Sequence, residues 1–99
     1  MAGRRYYSEY VGHFVRFYLK YPAQTRFKTE QEKKMYNAVG EVWEEMDLTE
    51  NAILRQLYLA QPLNAEVEKV AAEQGLTTAS IWKLVLRFED EVARAGGLL

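Results

Sequence analysis

The sequence predicts an all-α fold: a five-helix domain with a C-terminal helix-turn-helix. Three observations carry that expectation. Apolar residues recur at helical spacing along most of the chain, and no segment alternates as a strand would. Two prolines and six glycines in 99 residues, with 48% apolar content, indicate an ordered helical chain rather than a disordered tail. Residues 67–84, VEKVAAEQGLTTASIWKL, then set Ala71, Gly75, Leu76, Ile81 and Leu84 at the offsets of two helices joined by a tight corner.

The first helix is expected from Ser8, a good N-cap, to Tyr21, because Pro22 forces the residue before it out of helical geometry. Its inward stripe is Val11, Phe14, Val15 and Tyr18. Tyr6, Tyr7, Tyr10, Phe17 and Tyr21 add rings beyond one stripe, which predicts burial on two sides, either by the rest of the domain or by a second copy. PAQTRFK reads as a loop. Thr29 with Glu32 forms a capping box for a second helix reaching about Met46, with Met35, Val39, Val42, Trp43 and Met46 facing inward. Asp47-Leu48-Thr49 interrupts the pattern, and Thr49 is read as the cap of a third helix carrying Ile53, Leu54, Leu57 and Tyr58.

Gln61-Pro62 ends that helix, and Asn64 can cap a fourth that reaches Gln74. Ala71 is small where two helices cross, Gly75 can take the positive φ a tight corner needs, and Leu76 is expected to plug that corner. Thr77 or Thr78 caps the fifth helix, which runs to about Ala95 before Gly96-Gly97. Ile81, Leu84, Val85 and Phe88 form its packing stripe. Thr77, Thr78, Ala79, Trp82, Lys83 and Arg87 are left facing outward. One domain, residues 1–99, is expected, with an N-terminal helical part over 1–46 and the helix-turn-helix part over 47–95.

Composition narrows the function. The absence of cysteine removes disulfide, thiolate-nucleophile and thiolate-metal chemistry, and a single His13 cannot assemble a histidine metal cluster or a Ser-His-Asp arrangement. Glu41, Glu44 and Glu45 follow a helical surface with no phosphate cradle beside them, so neither an enzyme nor a cofactor is expected. No apolar run approaches the roughly 20 residues that cross a bilayer, and a cytoplasmic protein without a membrane partner is expected. The net charge of −1 is unevenly spread. Residues 1–28 hold six cations, Arg4, Arg5, Arg16, Lys20, Arg26 and Lys28, against Glu9 alone, giving +5 and leaving −6 for the remainder. A DNA duplex rewards local rather than total positive charge, so this basic arm can supply phosphate contacts.

From Leu48 onward the segment resembles the region-4-like, promoter-reading helix-turn-helix of bacterial sigma-70 factors. The residues that carry the likeness are Leu48 with the polar Thr49, the apolar pair Ile53-Leu54, Tyr58, Val70-Ala71, the corner Gly75-Leu76-Thr77, and Ile81. It covers residues 47–94, and the chain as a whole is similar to small sigma-like proteins encoded on phages and mobile elements of Firmicutes. The resemblance implies a transcription regulator that binds double-stranded DNA, with RNA polymerase as a further partner. The candidate DNA-binding residues are Thr77, Thr78, Ser80, Trp82, Lys83 and Arg87 on the second hairpin helix, joined by Arg4 and Arg5. The hydroxyls suit phosphates and bases, and Arg87 suits a bidentate guanine contact. Trp82 has three candidate neighbours: thymine methyls, a protein partner or the first helix. A homodimer built on the first helix is also expected, since two-fold pairing doubles the base pairs read. The competing reading is a protein-interaction module that keeps the hairpin for its shape.

Overall fold

The computed structural model describes residues 6–60 and 63–99, and over these the chain is five α-helices. They are α1 (Ser8–Lys20), α2 (Glu30–Glu45), α3 (Leu48–Leu59), α4 (Leu63–Gln74) and α5 (Thr78–Ala95). No described helix is long and apolar enough to cross a membrane.

Local chemistry sets most boundaries. Thr29 caps α2 by accepting from the Glu32 amide at 3.1 Å, but the Glu32 carboxylate reaches back to the Lys28 amide, one residue before the cap. The cap of α3 is Asp47, whose carboxylate accepts from the Glu50 amide at 2.8 Å. Thr49 therefore lies inside the helix: a carboxylate three residues before Glu50 suits the helix's positive end better than a hydroxyl one residue before it. Ser8 is likewise the first residue of α1 and is buried, with Tyr7 at the cap position and no side-chain capping bond. Gln61-Pro62, the expected terminator of α3, lies outside the described residues.

Helix α1 packs against α2, α3 and α5, and α5 against α1, α2 and α4. The axes of α2 and α5 run antiparallel. Met35, near the start of α2, lies against Gly96, Trp43 meets Phe88 with ring centroids 6.0 Å apart, and Glu41, Val42 and Glu45 share a shallow cleft with Glu91, Arg94 and Ala95. The core holds Val11, Val15, Met35, Val39, Leu54, Leu57, Tyr58, Val70, Val85, Phe88 and Val92, all fully buried. At Gly12 the α1 backbone lies close to the Tyr58 ring of α3, where a Cβ would make an ordinary contact at 3.6 Å.

The rings of α1 are mostly used within the domain. Tyr7 and Phe14 are buried and Phe17 and Tyr18 half-buried, while Tyr10 and Tyr21 stay exposed. Tyr7 donates to Asp90 on α5. A continuous aromatic ladder runs from the loop after α1 into the core: Phe27 on Tyr36 (5.1 Å between centroids), Tyr36 on Tyr18 (5.3 Å), Tyr18 on Trp43 (6.4 Å), then Phe88 and Tyr58 (6.0 Å). Burial, with the Glu44 and Tyr36 charges secondary, pushes the Tyr18 phenol up from its ordinary value.

Glu89, on the C-terminal half of α5, is a buried carboxylate. Its side chain is fully buried, facing α3, where the Tyr58 hydroxyl donates to Oε2 at 2.5 Å. Helical spacing explains the placement: Glu89 falls four residues after Val85 and three before Val92, on the packing stripe rather than beside it.

Candidate nucleic-acid interface

Helix α4 stops because its last residues are followed by Gly75 at φ 67°, a left-handed conformation that glycine adopts without Cβ conflict. The Leu76 amide then donates back to the Ala71 carbonyl at 2.8 Å, and the Gly75 amide to Ala72 at 3.3 Å. These paired bonds satisfy carbonyls that the end of a helix leaves open. The Leu76 side chain does not plug the corner. It is 47% exposed, because the left-handed turn carries it to the rim of a cleft between α3 and α5 instead of beneath Ala71.

Thr77 caps α5: its Oγ1 accepts from the Ser80 amide at 3.1 Å and lies 2.9 Å from the Ser80 hydroxyl. Both hydroxyls are thus partly committed to the helix start. Thr77, Thr78, Ala79 and Ser80 are all exposed, as is every residue from Ala72 to Ser80, so the corner projects from the domain. The Ile81 amide is taken by the Thr77 carbonyl. The Thr78 and Ala79 amides belong to the turn whose donors have no intrahelical acceptor, at the positive end of the helix dipole.

Further along α5, Lys83 and Arg87 are exposed and Trp82 half-buried. The structure places Trp82 against α4, where it lines a groove of about 530 Å³ with Asn64, Val67, Glu68, Thr78, Ala79, Lys83 and Leu86. Of its three candidate neighbours, the first helix is therefore not the one observed. A second cleft of about 540 Å³ flanks the other side of α5, between α3 and the residues Leu76, Ser80, Lys83, Leu84 and Arg87. There Arg87 Nη2 donates to Glu50 Oε2 at 2.5 Å, and that bond, with the Glu50 charge, raises the guanidinium above its ordinary value. Arg87 keeps 54% of its side chain in solvent despite the pairing. Asp47 lies in the same cleft.

Ser80, Lys83 and Arg87 therefore share one exposed side of α5, towards α3, while Thr78 lies with Trp82 on the α4 side and Thr77 caps the exposed helix start. Arg4 and Arg5 lie outside the described residues. Arg16, one of the basic arm's cations, is turned inward: its Nε donates to the Tyr58 carbonyl at 3.1 Å and its guanidinium sits 5.8 Å from the Tyr58 ring centroid. Sequence reasoning missed Glu50 as the partner of Arg87. The spacing of 37 residues hides it, and only the cap that places Glu50 in the first turn of α3 hints at an outward carboxylate. His13 is exposed and packs edge-on against Phe14.

Comparison of the chain with protein-family models, with curated proteins and with solved structures finds no match.

Proposed function

We propose that this chain is a DNA-binding transcriptional regulator of the sigma region-4-like type, of the kind carried by phages and mobile elements, with α4, the Gly75 corner and α5 as its helix-turn-helix. The observation that carries the reading is the corner: a left-handed glycine with paired closing bonds, followed by an exposed helix start that offers two backbone amides and the Thr78 hydroxyl. Such a start suits one phosphate, and Lys83 and Arg87 then lie one and two turns deeper, where base edges would be met. Polymerase contact and a cytoplasmic setting belong to the same reading. Selection from a random duplex pool by mobility shift tests it. Recovery of a consensus bound more weakly by Arg87→Ala supports it, and failure to enrich any duplex at low salt removes it.

A specific observation favours a second reading. Glu50 and Asp47 stand beside Arg87, and Glu68 beside Trp82 and Lys83, so carboxylates border the α5 face on both sides. These are poor neighbours for a phosphate backbone and good ones for a cationic protein segment. In that reading the Trp82 groove receives part of a protein, RNA polymerase or a host protein, and duplex selection yields nothing.

A further inference from the structure

The cations of the loop between α1 and α2, Arg26 and Lys28, do not sit beside the exposed start of α5. Because α2 and α5 are antiparallel, the loop preceding α2 lies at the far end of α5, where Lys34 approaches Gly97. An 18-residue helix separates the two ends by roughly 27 Å. Phosphates served by this loop are therefore not those at the first turn of α5.

The loop is firmly held although it has no regular secondary structure. The Tyr36 hydroxyl, projecting from α2, donates to the Tyr21 carbonyl and accepts from the Gln24 amide at 3.0 Å. Gln24 Nε2 donates to the Arg26 carbonyl at 2.6 Å, and the Lys28 amide is held by Glu32. Phe27 is wedged edge-on against Phe17 and tilted against Tyr36. The result is a cleft of about 570 Å³ lined by Thr25, Arg26, Phe27, Lys28, Lys33 and one carboxylate, Glu30. Arg26, Lys28 and Lys33 are exposed, and none is in an ion pair among the described residues. Tyr21, 58% exposed, stands at the end of α1 with its edge fixed against Phe17 at 5.8 Å, and Lys20 precedes it.

The geometry points to a second binding site at this pole, for a single-stranded nucleic acid held without sequence preference. Arg26 and Lys28 on the held loop and Lys33 in the first turn of α2 line one cleft and can neutralise phosphates, and the exposed Tyr21 ring offers a base a face to stack on. A lipid surface fits less well: interfacial binding needs a broad exposed apolar face, whereas Phe27 and Phe17 are packed into the domain and Tyr21 is the one large ring of this pole that is more exposed than buried. The site is independent of duplex reading by α5 and stands if that reading fails.

Anisotropy of a labelled oligothymidylate titrated with the full chain tests it. Three or four neutralised phosphates predict a slope of about −2 to −3 for log affinity against log salt. Charge reversal of Arg26, Lys28 and Lys33 together to Glu should weaken binding by at least about a hundredfold. Tyr21→Ala should weaken it by about tenfold with the salt slope kept, the size expected for loss of one stacked base. Arg87→Ala should leave strand binding as it was. Circular dichroism of each variant checks that the helices persist; a reversal variant that loses helicity is replaced by Arg26, Lys28 and Lys33 each changed to Gln. Wild-type affinity in the folded charge variant overturns the proposal. So does equal competition by polyglutamate, which would reduce the site to unspecific charge, or binding to phosphatidylserine vesicles without binding to the oligonucleotide.

Discussion

Replacing Gly75 isolates the backbone contribution of the corner, because its surroundings contribute nothing else. A Cβ built there meets no atom within 4 Å, so Gly75→Ala introduces no clash and gains no packing. The whole effect comes from holding an L-residue at φ 67°, which costs about 1 to 2 kcal/mol. Asn tolerates this region and should lose less; Val, stiffened by its branched Cβ, should lose roughly 1 to 3 kcal/mol. For a domain of this size each kcal/mol lowers the melting temperature by about 4 to 8 °C. Thermal melts followed by circular dichroism should therefore rank Gly above Asn, Asn above Ala and Ala above Val, with Ala about 4 to 16 °C below the parent. Identical melting temperatures across the four would show that the corner can be rebuilt without positive φ, and the argument from Gly75 to a fixed interhelical turn would fail with it.

Other expectations follow from single contacts. Tyr58→Phe removes a hydroxyl donor from the fully buried Glu89 carboxylate and should cost roughly 1 to 3 kcal/mol, read as a lower denaturation midpoint at unchanged m-value; no loss would mean the bond contributes nothing net. Glu50→Gln frees Arg87 from an exposed pair worth at most about 1 kcal/mol, so affinity for a selected duplex should rise by up to about fivefold, whereas Arg87→Ala should lose roughly 1 to 3 kcal/mol if the residue reads a guanine. A fall in duplex affinity with Glu50→Gln would mean that the pairing orients Arg87 rather than competing for it. Self-association now rests on Tyr6, Tyr10 and Tyr21, the rings still exposed, and light scattering at micromolar concentration distinguishes a particle of 11.5 kDa from one of twice that mass.

Helical periodicity revealed all five helices because each carries an apolar stripe that the others cover, and Gly75 was legible because few residues besides glycine accept a left-handed corner. Caps were less legible. Asp47 and Thr49, two residues apart, both offer capping side chains, and the choice between them depends on where the preceding helix releases the chain. What the sequence concealed are pairings across helices. Glu89 looks like the start of an acidic surface run with Asp90 and Glu91 until Tyr58 is seen opposite it, and PAQTRFK looks like an ordinary linker until the Tyr36 hydroxyl is found holding it from α2. One-dimensional periodicity carries no information about which residue of another helix faces a given polar group.

The same distinction bears on function. Counting charge along the chain joined Arg26 and Lys28 to a single basic arm serving α5, but the antiparallel packing of α2 on α5 moves these cations to the opposite pole and leaves Asp47, Glu50 and Glu68 around the exposed helix face. Duplex reading by α5 must then draw its phosphate affinity from the helix-start amides, Lys83 and whatever Arg87 supplies once released from Glu50. Of that set only Lys83 and Arg87 carry charge, so a salt slope of about −2 on duplex DNA is the ceiling. A steeper measured slope would require cations from outside this face, and the residues preceding Tyr6, with Arg4 and Arg5, would be the first to replace. A slope near zero for a duplex that is nonetheless selected by sequence would instead mean that base contacts dominate, with Arg87 and Trp82 carrying the discrimination.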